Sequence, residues 1–338
     1  MSGKISIEYS GRKEVDESAT ELIMTQMRLS TISESLSNLC NLTLLDLSVN
    51  HITKIPHCIG QLTNLTKLNL SNNKITSFSP YIGMLASLDN LNLTYNKISE
   101  IPFHILANLR NLKNLNISSN ALTEIPASLG TLPNLEILTL SFNNITRISG
   151  HADWSQSNLK MLCLSNNQIG EIQPIICQLP VLQDLYMEGN LILQIPDDIG
   201  NLSKLQKLSL LNNGISVIPQ TLTHLSNLRN LNLCNNVILE IPEWFGQMSK
   251  LFGLYMSDNM IASIPPCIGK LVKLSALELS NNDISEIPPE LEQLTELTGL
   301  YLSCNKISVI PEYIGQMAKL QELFLDGNQK MLRIGKTL

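Results

Sequence analysis

The hydrophobic and polar positions of this chain repeat with a period of about 23 residues. The stretch Leu274–Asn282 reads L-x-x-L-x-L-x-x-N, and the pattern I-x-x-I-P-x-x-L follows it. The alternating L-x-L part predicts a short strand whose leucines point inward. The proline predicts an extended return segment that cannot join a continuous sheet, and the residues after it favour a short helical or 3-10 turn. Because one rung cannot bury its own apolar edge, the repeat predicts a solenoid of stacked rungs.

Thirteen regular rungs begin at Leu42, and leucine occupies positions 1 and 4 in all of them. We number each rung from its first leucine, position 1, to its asparagine, position 9. An asparagine amide both donates and accepts hydrogen bonds, so we expect a ladder that satisfies backbone groups buried at the bend. The asparagines are Asn50, Asn73, Asn96, Asn120, Asn143, Asn167, Asn190, Asn213, Asn236, Asn259, Asn282, Asn305 and Asn328.

Residues 1–18 do not fit the repeat and form a predicted N-terminal edge segment. Within it, Lys4–Tyr9 alternates like a short strand, which we expect to cover the open end of the core. Residues 19–338 form one predicted solenoid domain. Its first rung, residues 19–41, is degenerate because Met27 replaces the asparagine, as expected of a terminal repeat that caps the array.

Two later places depart from the pattern. The irregular loop at residues 148–158 lacks the proline, and we expect an outer loop with Trp154 filling the gap in the core. A hinge or a docking point is the alternative interpretation of this loop. In the last rung Arg333 replaces an isoleucine and no capping unit follows, which leaves open an abrupt end, a covered end or a truncation.

The charge and the cysteines narrow the class of protein. The net charge of −6 argues against a general phosphate-backbone binder, so we expect no nucleic-acid partner. No apolar run resembles a signal peptide or a membrane span. The seven cysteines are scattered without C-x-x-C spacing, which predicts reduced thiols in a cytoplasmic protein. They are Cys40, Cys58, Cys163, Cys177, Cys234, Cys267 and Cys304.

No motif predicts catalysis or a cofactor. The five histidines lie in turns or return segments of different rungs and have no metal-ligand spacing. The recurrent glycines occupy one position of the rung, as turn residues do, and form no phosphate-binding loop. The sequence therefore predicts a protein that is not an enzyme and holds no metal or cofactor.

The residues between the strand leucines can carry function, because they point away from the core. Position 5 is small and polar in the early rungs, where Lys67, Lys113 and Lys160 lie beside the strand, and gains aromatic residues later. Interfaces are enriched in aromatic residues, so we expect a protein-binding site here; ordinary exposed residues are the alternative. The predicted binding residues are Tyr186, Glu188, Phe252, Tyr255, Asp258, Glu278, Tyr301, Phe324 and Asp326.

The repeat from Leu42 to Asn328 resembles the leucine-rich-repeat superfamily. The I-P-x-x-I-G-x-L form, as in Ile55–Leu62, is similar to the intracellular Ras-group class, which includes the Ras-suppressor proteins. The resemblance implies an α/β solenoid: a horseshoe with a parallel β-sheet on its concave face and extended, 3-10 or short helical segments on its convex face.

The resemblance also implies a non-catalytic scaffold or adaptor that binds proteins on the concave face, in small-GTPase signalling. A regulatory or targeting subunit of a serine/threonine phosphatase is the first alternative, and the recognition region of a larger signalling protein is the second. The sequence leaves the oligomeric state open.

Overall fold

The computed structural model describes residues 4–8, 12–151, 153–328 and 333–335. These residues form two compact units, Met1–Gln168 and Ile169–Leu338, called unit 1 and unit 2. The prediction of a single solenoid domain stays a prediction.

In unit 1, two N-terminal strands pair antiparallel: β1 (Lys4–Glu8) and β2 (Arg12–Asp16). The described residues then form a parallel sheet with one strand from each rung: β3 (Glu21–Ile23), β4 (Leu44–Asp46), β5 (Lys67–Asn69), β6 (Asn90–Asn92), β7 (Asn114–Asn116), β9 (Ile137–Thr139) and β11 (Met161–Cys163). On the return side, β8 (Glu124–Pro126) pairs parallel with β10 (Arg147–Ser149). The remaining return segments hold one short α-helix, α1 (Phe103–Leu106), and the 3-10 turns Glu34–Asn38, His57–Gln61, Pro80–Met84 and Ala127–Thr131.

Unit 2 repeats this plan in its described residues. Its parallel sheet contains β12 (Asp184–Tyr186), β13 (Lys207–Ser209), β14 (Asn230–Asn232), β15 (Gly253–Tyr255), β16 (Ala276–Glu278), β17 (Gly299–Tyr301) and β19 (Glu322–Phe324). On the return side, β18 (Val309–Pro311) pairs parallel with β20 (Arg333–Gly335). The 3-10 turns are Ile176–Gln178, Asp197–Asn201, Gln220–His224, Glu243–Gln247, Pro266–Lys270, Pro289–Gln293 and Glu312–Gln316. The predicted α/β solenoid, with short strands, extended returns and 3-10 turns, is confirmed.

The asparagine ladder forms as predicted. Asn282 is buried, and its Nδ2 donates to the carbonyl oxygen of Met256 in the preceding rung and to that of Leu279 in its own rung, both at 3.0 Å. Its Oδ1 accepts the N–H of Ile261 at 2.9 Å. One amide therefore satisfies backbone groups of two rungs at the bend, which a leucine there would leave unpaired.

The residue before each ladder asparagine has a left-handed backbone conformation in all thirteen rungs, with φ between 50° and 74°. Glycine and asparagine adopt this conformation at low cost and fill position 8 in seven of the thirteen rungs. Three large side chains occupy it in unit 1: Val49, Tyr95 and Phe142, all of them exposed. Position 8 therefore points into solvent at the corner between the sheet and the return segment.

The ends of the array are partly described. The predicted strand is present as β1 over Lys4–Glu8, and its predicted last residue, Tyr9, lies outside the described residues. β1 lies against the 3-10 turn Glu34–Asn38 of the degenerate rung. Asn50 makes the regular ladder bond to that rung, because its Oδ1 accepts the N–H of Leu29, and it also accepts the N–H of Met27. The predicted end of the last rung falls at residues 329–332 and 336–338 and at the Arg333 side chain, which lie outside the described residues.

The irregular loop of unit 1 buries its tryptophan as predicted. Trp154 is fully buried, and its indole N–H donates to the carbonyl oxygen of Ala127 at 2.5 Å. A Cβ atom at Gly130 would lie 2.2 Å from the indole ring, so this glycine provides the space that the ring fills. The large ring thus replaces the isoleucine and leucine that a regular rung would contribute. The hinge interpretation stays open.

Candidate protein-binding face

Four of the predicted binding residues lie side by side on the sheet of unit 2. Tyr255, Glu278, Tyr301 and Phe324 occupy position 5 of successive strands, and each is the direct register partner of the next. Strands in a sheet lie about 4.8 Å apart, so these side chains form a continuous row. We call these four residues the aromatic row.

Two glycines place the tyrosine rings flat against the sheet. A Cβ atom at Gly253 would lie 2.7 Å from Cε2 of Tyr255, and one at Gly299 would lie 2.7 Å from Cε2 of Tyr301. Each ring therefore covers the glycine two residues before it, in space that any other side chain would fill. With Ala276 between these glycines in register, position 3 has a small-residue floor over three strands.

The far end of the aromatic row is held by stacking and a hydrogen bond. The rings of Tyr301 and Phe324 stack with centroids 5.3 Å apart and planes 14° apart. The Tyr301 hydroxyl donates to the Glu322 carboxylate. This hydrogen bond, with smaller contributions from desolvation and nearby carboxylates, raises the pKa of Tyr301 to about 12. Tyr301 is therefore a neutral, oriented platform at physiological pH.

Carboxylates border the aromatic row. Glu278 lies between the two tyrosines and accepts the N–H of Ser280 at 2.9 Å, which fixes its side chain. Asp326 accepts the Ser303 hydroxyl. Asp258 is exposed at position 8 of its rung, where its φ is 56°. The row thus combines apolar rings with negative charge.

Two predicted residues lie apart from the row. Tyr186 is the register partner of Ser209, which pairs with Asn232 before Tyr255 is reached. Three strand spacings, about 14 Å, therefore separate Tyr186 from Tyr255. Glu188, two residues after Tyr186, belongs to the same distant rung.

The structure places Phe252 in a basic pocket at the start of the strands, and not among carboxylates. Its ring is 55% exposed. The pocket has a volume of about 440 Å³ and is lined by Gln206, Lys207, Arg229, Asn230, Lys250, Phe252 and Lys273. The edge of unit 2 at the start of these strands is therefore basic. The cations of this pocket come from neighbouring rungs, and each lies at the start of a strand or just before it. Comparing these positions from rung to rung could therefore have predicted the pocket.

Some of these cations have partners. Lys207 forms an ion pair with Asp184 at 3.6 Å, and Lys250 donates to Asn227 at 2.9 Å. In unit 1, Lys160 of the predicted early basic group is paired with Glu136 at 3.0 Å. The basic edge of unit 2 is thus only partly neutralised.

The described residues also bear on metal sites, membrane-spanning helices and disulfides. Within them, no group of three or more His, Cys, Asp or Glu side chains could hold a metal ion. No helix in the described part of the chain is long and apolar enough to cross a membrane. All seven cysteines are free thiols.

The sequence matches family models along most of its length. A leucine-rich repeat region matches residues 21–187, and a leucine-rich repeat model matches residues 180–238, 203–261, 230–284 and 272–329. With the stacked rungs and the asparagine ladder, these matches show that the chain belongs to the leucine-rich-repeat family, whose members are typically protein-interaction modules. No curated protein matches the chain.

Solved structures of this family resemble the chain closely. A leucine-rich-repeat protein of Leptospira interrogans is 32% identical with a TM-score of 0.76, over 88% of this chain and 82% of that one. An internalin of Listeria monocytogenes is 25% identical with a TM-score of 0.72, over 95% and 85%. A plant peptide hormone receptor in complex with RGF2 is 29% identical with a TM-score of 0.69, over 94% of this chain but 56% of the receptor.

Proposed function

We propose that this protein is a non-catalytic scaffold or adaptor, and that it binds a protein partner through the aromatic row of unit 2. The observation that carries the proposal is the arrangement of Tyr255 and Tyr301, whose rings lie over glycines on a rigid sheet. Aromatic residues dominate binding energy at interfaces. Rings that are already ordered lose little conformational entropy when a partner covers them.

The charges around the aromatic row indicate which charges a complementary partner would carry. The carboxylates of Glu278 and Asp326 border the rings, whereas Arg229 and Lys273 line the pocket at the opposite edge of the strands. A partner with basic groups over the row and acidic groups towards the pocket would be complementary, which favours rapid and specific association. The neighbouring plant receptor is described as a complex with RGF2, which supports ligand binding by this fold.

We further propose a cytoplasmic protein in small-GTPase signalling. The support is the resemblance of Ile55–Leu62 to the Ras-group repeat class, together with scattered free thiols. A regulatory subunit of a serine/threonine phosphatase and the recognition region of a larger signalling protein are the alternatives. The chain spans about half the length of the plant receptor that it resembles.

The test compares partners captured from cell lysate by the wild-type protein and by Tyr255→Ala/Tyr301→Ala. Tyr81→Ala is the matched control, because Tyr81 is an exposed tyrosine on a return-side 3-10 turn. We expect the double variant to lose a partner that the control retains, with both variants folded by circular dichroism.

The identity of the partner that the double variant fails to capture tests the proposed role in small-GTPase signalling. A small GTPase supports the signalling role, whereas a phosphatase catalytic subunit replaces it by the first alternative. Equal capture by the wild type and the folded double variant would remove the aromatic row as the binding site.

A further inference from the structure

The return corner of unit 2 carries exposed aliphatic side chains. They follow the ladder asparagines of rungs 7 to 10 and are exposed by 40–67%: Leu191, Leu193, Val217, Val237, Leu239 and Met260. We call these six residues the corner patch. Single exposed apolar residues are ordinary, but a contiguous group of them marks an interaction surface.

Hydrogen bonds between rungs make the corner patch continuous. The N–H of Gly214 donates to the carbonyl oxygen of Ile192, that of Val237 to Ile215, and that of Met260 to Ile238, all at 2.9–3.0 Å. The backbone at position 10 of these rungs therefore lies directly beside the preceding rung. A Cβ atom at Gly214 would lie 2.8 Å from Cδ2 of Leu193, so this leucine leans over the adjacent rung and closes the gap there.

The other rungs show that the fold does not require aliphatic residues here. Positions 10 and 12 are His51 and Thr53 in rung 1, and Asp283 and Ser285 in rung 11. The same backbone thus accepts polar side chains at the same places. The leucines of rung 7 expose 62% and 63% of their surface and contribute little burial to stability.

The charged residues around the corner patch are mainly acidic. From rung 6 to rung 11, the segments between the ladder asparagine and the last return isoleucine carry Glu171, Glu240, Asp283 and Glu286. Asp283 is paired with Lys306 of rung 12 at 2.6 Å, so the border consists of Glu171, Glu240 and Glu286. The equivalent segments of unit 1 carry cations, including Lys54, Lys74 and Lys97. An acidic border around an apolar centre is complementary to an apolar segment flanked by lysine or arginine.

We propose that the corner patch is a second binding site, whose ligand is an amphipathic protein segment with an aliphatic face and basic flanks. The four rungs span about 14 Å, three spacings of about 4.8 Å, which is the length of about ten helical residues at 1.5 Å each. A second copy of this chain would bring two acidic borders together. An anionic bilayer would be repelled in the same way.

The experiment measures binding of two synthetic 14-residue helical peptides by fluorescence anisotropy. Both have one leucine face, and their polar positions are all lysine in one peptide and all glutamate in the other. We expect the wild-type chain to bind the lysine peptide at least about tenfold more tightly at low salt, with the difference narrowing as salt screens the border.

Variants locate the site. Leu191→Ser/Leu193→Ser/Leu239→Ser should weaken binding of the lysine peptide at least about tenfold, because the apolar centre is lost. Thr53→Ser/Thr76→Ser/Thr123→Ser alters position 12 of three unit 1 rungs and should leave binding unchanged. Glu240→Gln/Glu286→Gln should reduce the preference for lysine over glutamate. The substituted side chains are all exposed, so circular dichroism should show unchanged folds.

Three results would overturn the proposal. Equal binding of the lysine peptide by the wild type and the triple leucine variant would show that the patch is not the site. Sedimentation that finds a dimer of the wild type but not of that variant would make a second copy the occupant. Flotation with neutral phosphatidylcholine vesicles that depends on the same leucines would make it a bilayer. Tyr255→Ala/Tyr301→Ala, which tests the aromatic row, should leave peptide binding intact.

Discussion

Position 8 of each rung demands a left-handed backbone, and the residues there differ in how easily they adopt it. Asn72 has a φ of 55°, which asparagine tolerates through local hydrogen bonding of its side chain. Val49 has a φ of 56° in the preceding rung, and a β-branched residue in this region is strained. Val49 is also 40% exposed, so burial does not offset the strain.

Exchanging these two residues should therefore have opposite effects on stability. We expect Val49→Asn to raise the free energy of unfolding by about 1 kcal/mol, and Asn72→Val to lower it by a similar or larger amount. Urea unfolding followed by circular dichroism measures both. If Val49→Asn proves destabilising, the valine side chain contributes contacts that outweigh its backbone strain.

The pKa of Tyr301 reports on the hydrogen bond at the end of the aromatic row. Its pKa is raised to about 12 mainly by the hydrogen bond to Glu322, which requires the neutral phenol as donor. Replacing Glu322 by glutamine removes the charged acceptor and should lower the pKa of Tyr301 towards its usual value.

Absorbance titration of tyrosinate above pH 9 measures this change, with Tyr301→Phe identifying the step that belongs to Tyr301. In the wild type that step should lie above those of exposed tyrosines, and in Glu322→Gln it should join them. An unchanged step would show that another interaction sets the pKa.

At the level of the element, the irregular loop shows how a solenoid tolerates a broken repeat. The loop lacks the return proline, yet Trp154 fills the core and donates its indole N–H to Ala127. The sequence allows this prediction because a single large apolar residue lies in the gap. The matching space at Gly130, one rung earlier, is visible only in the structure, since it depends on how the two rungs stack.

Trp154→Ala should therefore destabilise unit 1 strongly. Truncation of a fully buried tryptophan leaves a large cavity, and we expect a loss of about 3–5 kcal/mol in the free energy of unfolding. Trp244→Ala is the matched control, because Trp244 is only partly buried and stacks on Phe245; its loss should be clearly smaller. Denaturant unfolding compares the two, and equal losses would contradict a core role for Trp154.

Across the whole molecule, the fold was predictable because the rung pattern consists of the core residues themselves. Leu277 and Leu279 predict a strand, and Asn282 predicts the bend. The Asn282 amide makes the expected hydrogen bonds there, to Ile261 and Met256. The rows of side chains at position 5 follow from the same alternation. The sequence therefore allowed us to predict which residues form the aromatic row.

The sequence could not show how neighbouring rungs combine. Tyr255 lies over Gly253, and Phe252 faces cations of three other rungs, because side-chain directions and stacking decide these contacts. The corner patch did leave a signal: rungs 7, 9 and 10 have large apolar residues at positions 10 or 12, where most other rungs have polar ones. Comparing each position down all thirteen rungs, rather than reading along the strand, reveals it.

The seven thiols offer a test of packing along the entire array. Cys40 and Cys304 are exposed, whereas Cys58, Cys177, Cys234 and Cys267 are buried. Burial, with the nearby charge of Glu34, raises the pKa of Cys58 to about 11; burial, with the charge of Asp198, raises that of Cys177 to about 12. Burial also raises the pKa of Cys267. The thiolate is the reactive form, so these thiols are protected both sterically and electrostatically.

We expect a thiol reagent at pH 8 to modify Cys40 and Cys304 first, and the four buried thiols about 100-fold more slowly or only on unfolding. Mass spectrometry of the labelled peptides identifies each site, and Cys40→Ser/Cys304→Ser should remove the fast reaction. Because the raised pKa values keep the buried thiols protonated, Cys58 and Cys177 should stay slow to react when the pH is raised from 8 to 9. Rapid labelling of Cys58 or Cys177 in the folded chain would show that the rungs around them open.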